Sequence, residues 1–102
     1  MRFDGKTVVV TGGALGIGRA VCELLAERGA AVSIIDWDED AGSKLSEEIV
    51  RNGGKARFDR VNVANSADVL AAVEATAKEF GSIDSLVVSA GIQRYGTAIS
   101  TT

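Results

Sequence analysis

The segment Thr11-Gly12-Gly13-Ala14-Leu15-Gly16-Ile17-Gly18 joins a β-branched run to a helical pattern, and it limits the possible folds more than any other stretch. Residues 6–11 (KTVVVT) read as a short strand ending at glycines. Residues 17–28 carry Val21, Leu24, Leu25 and Arg28 at helical spacing, with Gly29 as a C-terminal stop. Residues 31–36 (AVSIID) read as a second, buried strand. Asp38 is placed to cap a helix with Ala41, Leu45 and Ile49 on one face, ending near Asn52-Gly53-Gly54. Residues 56–61 give a weaker third strand. Ser66 is the expected cap of a third helix, with Val69, Leu70, Val73, Ala77 and Phe80 inward and Gly81 after it. Residues 85–88 form a fourth strand. Residues 89–102 read as loop, with Thr101 and Thr102 placed like the cap of a further helix.

The order β-α-β-α-β-α-β implies right-handed crossovers and an α/β fold: a partial, doubly wound parallel sheet with strand order 3-2-1-4 and helices on both faces. One domain over residues 1–102 is expected. Such a sheet binds its ligand at the switch point between strands 1 and 4. Strand 4 would be left as an open edge, which invites self-association.

Each glycine of the loop has a distinct task. Gly12 permits a tight turn, Gly16 keeps a Cβ away from an approaching pyrophosphate, and Gly18 lets the first helix pack close to the strand. The amides around Ile17 then face the phosphates from a helix N-terminus. Glycines also end strands without any ligand, so the strand–loop–helix context carries the reading. Asp36 ends the second strand, where a carboxylate accepts hydrogen bonds from adenine-ribose hydroxyls. It would repel a 2′-phosphate, and no Arg or Lys at 13, 14 or 37 compensates, so NAD is favoured over NADP. A helix cap or turn is the alternative role for Asp36.

The chain has a net charge of −3, no basic block, no histidine and a single cysteine, Cys22. A nucleic-acid surface, an internal disulfide and a Cys/His zinc site are thereby excluded. No apolar stretch is long enough to span a bilayer, and the start lacks the apolar run of a signal peptide. A cytoplasmic protein without membrane contact is expected.

At these residues the chain resembles the classical short-chain dehydrogenase/reductase family, whose TGxxxGxG pattern is matched by TGGALGIG. The resemblance runs along the whole chain and corresponds to the N-terminal portion of the family's Rossmann domain. It implies hydride transfer between NAD(H) and an alcohol or carbonyl substrate. The cofactor-binding residues it implies are Gly12, Leu15, Gly16, Ile17, Gly18, Asp36, Trp37, Asn62, Val63, Ser89, Ala90 and Gly91. Asn62-Val63 stands where the family often has Asp-Val beside the adenine; a strand-end turn asparagine is the other reading. Val88-Ser89-Ala90-Gly91 stands where the family commonly has Asn-Asn-Ala-Gly, so the asparagine hydrogen bonds are missing. Trp37 either lies against the adenine or packs on the surface.

The family's catalytic Ser and Tyr-x-x-x-Lys are absent from these residues. Tyr95 is the only tyrosine, and Ile99 stands four positions on. No catalytic residue is therefore assigned, and the chain by itself is expected to be inactive and incomplete at its C-terminus. The alternative is a non-catalytic nucleotide-binding module, or a half-domain completed by a partner chain. A methyltransferase shares the glycine loop and the acidic strand end, but usually with a different glycine spacing.

Overall fold

The computed structural model describes residues 2–12, 16–62, 64–88 and 100–101. The chain runs β1 (Thr7–Thr11), α1 (Gly16–Glu27), β2 (Ala31–Asp36), α2 (Glu39–Arg51), β3 (Lys55–Arg60), α3 (Ser66–Phe80), β4 (Ser85–Val88) and β5 (Ser100–Thr101). The sheet order is β3-β2-β1-β4-β5. The neighbours among β1 to β4 pair in parallel, and β5 runs antiparallel to β4.

β5 departs from expectation. Residues 100–101 do not read out as loop or helix cap; they pair as Leu86↔Thr101 and Val87↔Ser100. β4 is consequently not an open edge along those residues. An unpaired row of N–H and C=O groups is costly, and an extended dipeptide can supply partners.

The β1 and β2 residues alternate between two cores. Val8, Val10, Val32 and Ile34 pack with Cys22, Leu45 and Ile49 on the α1/α2 face. Val9 and Ile35 pack with Val61 and Ala72 on the α3 face. This period of two within fully buried strands is what a sheet covered on both sides requires. Cys22 is fully buried, as a small packing residue should be.

The helix caps follow side-chain chemistry closely. Asp38 caps α2, its Oδ1 accepting from the Ala41 N–H at 3.0 Å. α3 is capped by Asn65 rather than Ser66: the Asn65 Oδ1 accepts from the Ala67 and Asp68 amides at 3.1 and 3.2 Å. A carboxamide oxygen thus satisfies two orphan amides, and Ser66 becomes the first helical residue. The buried stripe of α3 is likewise rotated from the expected one. Ala72 and Thr76 are buried, with Val69 and Val73 against the core, while Leu70 is exposed. Positions 69, 72, 73 and 76 keep the helical spacing, and Leu70 falls on the neighbouring face.

At the base of the two central strands, the Thr7 N–H donates to Asp84 Oδ2 at 2.8 Å, and the Asp84 N–H donates to the Thr7 carbonyl at 2.8 Å. This reciprocal pair sets the entry of β4 beside β1. No described helix is long and apolar enough to cross a membrane.

Candidate functional site

Parallel strands that leave a sheet in the same direction place their C-terminal ends side by side. The register Thr11↔Ile35 puts Gly12 next to Asp36, and the register Asp36↔Arg60 puts Arg60 beside them. Three successive strand tips thus meet along one rim.

Gly12 turns the chain at the end of β1 with φ +70° and donates its N–H to the Ile35 carbonyl at 2.7 Å. Only glycine takes such a φ without strain. Gly16 opens α1 at φ +60°, and among the described residues a Cβ built there would meet nothing within 4 Å. The backbone therefore faces open space at the start of a helix whose first turn holds no acidic residue. A helix N-terminus can attract an anion through its first-turn amides and dipole. Gly18 is buried, and Ile17 between them is 68% exposed. A large aliphatic side chain left in water at this point offers a contact surface for a ligand lying on the loop.

Asp36 ends β2. Its Oδ1 accepts from the Asp38 N–H at 3.0 Å, and its carbonyl accepts from the Val61 N–H at 3.0 Å. The carboxylate is thereby oriented by the backbone of the following turn. Trp37 is 59% exposed and lies under the Arg60 guanidinium, 4.1 Å from Cζ to the ring centroid. Asn62 is exposed and serves as a turn residue: its Oδ1 accepts from the Ala64 N–H at 3.0 Å, and its carbonyl from the Asn65 N–H at 2.9 Å. A second lone pair on that Oδ1 remains compatible with another donor. Leu15, Val63, Ser89, Ala90 and Gly91 lie outside the described residues, as do Tyr95 and Ile99.

Arg60 also stands on this rim, and the sequence pattern does not single it out. Nothing in the local pattern sets apart an arginine at the end of an edge strand. Its place beside Asp36 and Trp37 comes from the β2–β3 register, which is a property of the folded sheet. Cys22 is buried away from this rim, and burial, with Glu23 adding to it, pushes its thiol up to about 12. Among the described residues no cluster of His, Cys, Asp and Glu could hold a metal ion. A separate cleft of about 970 Å³ lies at the opposite end of the sheet, between α1 and α2. There Arg19 pairs with Glu23 of its own helix at 3.2 Å and bridges to Glu48 of α2 at 3.1 Å.

The sequence matches the short chain dehydrogenase family over residues 6–102. It is 40% identical over 98 residues to 2,5-dichloro-2,5-cyclohexadiene-1,4-diol dehydrogenase of Sphingobium indicum, covering 96% of this chain and 38% of that protein. The chain therefore spans well under half the length of that relative. The fold is similar to that of a xylitol dehydrogenase solved with NAD+ bound, with a TM-score of 0.80 and 32% identity over 85% of this chain and 34% of the other. It is equally similar to a 7α-hydroxysteroid dehydrogenase solved with NADH and 7-oxo glycochenodeoxycholic acid, with a TM-score of 0.81 and 31% identity over 84% of this chain and 34% of the other. The α/β architecture is the Rossmann fold shared with these neighbours, and the chain belongs to the short-chain dehydrogenase family as an N-terminal portion of its domain.

Proposed function

We propose that these residues form the NAD-binding part of an oxidoreductase that moves hydride between NAD(H) and an alcohol or carbonyl substrate. One observation carries the reading: the strand register sets the glycine turn, with its open space at Gly16, next to the carboxylate of Asp36. An anion-attracting turn beside a sugar-binding carboxylate suits a dinucleotide without a 2′-phosphate. When bound, the nicotinamide supplies the hydride-accepting or hydride-donating chemistry. Gly12, Leu15, Gly16, Ile17 and Gly18 would lie along the diphosphate. Asp36 would accept from the ribose hydroxyls, with Trp37, Asn62 and Val63 around the adenine. Ser89, Ala90 and Gly91 would border the nicotinamide-side ribose. The neighbours solved with NAD+ and NADH support a nicotinamide cofactor for the family fold.

No Tyr-x-x-x-Lys occurs within these 102 residues, which supports binding without turnover by this chain alone. The test is calorimetric titration with NADH and NADPH, for the wild type and for Asp36→Ala and Asp36→Asn. NADH should bind more tightly than NADPH. Asp36→Ala should weaken NADH about tenfold or more, the scale of a lost charge-assisted hydrogen bond. Asp36→Asn keeps an acceptor for the Asp38 amide, so it separates turn geometry from charge. Unchanged NADH affinity in Asp36→Ala would remove the assigned role.

A further inference from the structure

The end of β3 contributes a side chain with three simultaneous attachments to one neighbourhood. The Arg60 guanidinium covers the Trp37 indole at 4.1 Å to the ring centroid. Its Nε donates to the Trp37 carbonyl at 3.2 Å. Its Nη1 stands 3.9 Å from Glu39 Oε1, in the first turn of α2. Ring, backbone and following helix are thus held by one planar cation. A guanidinium suits this task because it stacks on an aromatic face while donating in its own plane.

An exposed tryptophan next to a strand tip would ordinarily sample several rotamers, and immobilising such a side chain at binding costs free energy. Here that cost is already met within the protein, yet Trp37 remains 59% exposed. The indole follows Asp36 directly, so it stands at whichever end of the ligand the carboxylate grips.

We propose that Arg60 is a positioning residue that fixes the Trp37 indole as a stacking wall for the adenine of the dinucleotide. The inference rests on the nucleotide site proposed above and deepens it. Arg60 acts through Trp37 and does not hold a phosphate. A base stacked on an aromatic side chain loses that contact when the ring is removed, so Trp37→Ala should weaken NADH about tenfold. Arg60→Ala leaves the indole in place but free, and should weaken NADH about three- to fivefold. Arg60→Lys retains a cation over the ring without the planar fork, and should fall between wild type and Arg60→Ala.

The experiment titrates the full chain and these three variants with NADH, AMP, reduced nicotinamide mononucleotide and NADPH. The affinities for NADH and AMP should fall by the same factor in Arg60→Ala, while the mononucleotide, which lacks adenosine, is unaffected. Trp37 is the only tryptophan, so its emission should shift and its anisotropy should drop in the ligand-free Arg60→Ala variant. Equal losses for the mononucleotide, a loss confined to NADPH, or unchanged NADH and AMP affinity would each overturn the proposal while leaving the nucleotide site intact. Absence of NADH and AMP binding by the wild type would overturn both.

Discussion

Single side chains show where local pattern stops being informative. The glycine turn and Asp36 are legible from residue order because their chemistry depends on neighbours a few positions away. The Arg60–Trp37 contact is not, since it joins residues 23 apart through a strand register. Gly42 is a similar case. In the sequence it is only a weak helix residue inside α2, but a Cβ there would overlap the ring of Phe58 on β3. Gly42→Ala should therefore destabilise the fold by about 1–2 kcal/mol, because overpacking outweighs the roughly 1 kcal/mol gain in helix propensity. A higher Tm in thermal unfolding would show that the contact is absent. Cys22 gives a second test at this scale. Its folded thiol stays protonated up to about 12, whereas the ordinary value is 9.0, so folding favours the protonated form. Its contribution to stability is intact below pH 9 and is lost as the pH rises from there towards 12. Alkylation by iodoacetamide at pH 8 should be blocked in the native protein and rapid in urea.

At the level of elements, type and order follow from periodicity, whereas caps and rotation do not. β2 and β4 have the bounds that their composition predicts. α3 is rotated, so that Thr76 rather than Leu70 faces the sheet. A buried pair explains the rotation. The Thr76 hydroxyl donates to the Ala72 carbonyl at 2.9 Å and stands 2.7 Å from the Ser33 hydroxyl on β2, which therefore donates to it. Hydrophobic spacing turns Val69 and Val73 inward but not Thr76, because two polar side chains are buried only when they satisfy each other. Thr76→Val should cost about 1–3 kcal/mol by stranding the Ser33 hydroxyl, and the double variant with Ser33→Ala should recover most of that loss. Denaturant melts of the two single variants and the double variant measure the coupling. Asn65→Ala should cost about 1 kcal/mol through the lost α3 cap, and Asn65→Ser should cost less.

For the whole molecule, the doubly wound arrangement was legible because alternation of strand and helix patterns admits few topologies. The antiparallel β5 was not, since two residues carry no periodicity. If the crevice at the strand tips binds NADH, the ligand must favour the folded chain. Saturation at about a hundred times Kd should add roughly 2.7 kcal/mol and raise Tm by several degrees. Differential scanning fluorimetry with NADH, and with AMP as a partial ligand, measures this. An unmoved Tm at millimolar NADH would count against the site.

The reciprocal hydrogen bonds between Thr7 and Asp84 also bear on how quickly the chain reaches its native state. They connect positions 77 apart, so forming them closes a loop that contains most of the described structure. Loop-closure entropy must be spent before such remote contacts reward it, which makes docking of β4 on β1 the expected slow event of refolding. Asp84→Asn keeps the shape but weakens the acceptor of the Thr7 amide. In stopped-flow refolding it should lower the folding rate more than it raises the unfolding rate if that docking belongs to the transition state, and the reverse partition would assign the pairing to a later step.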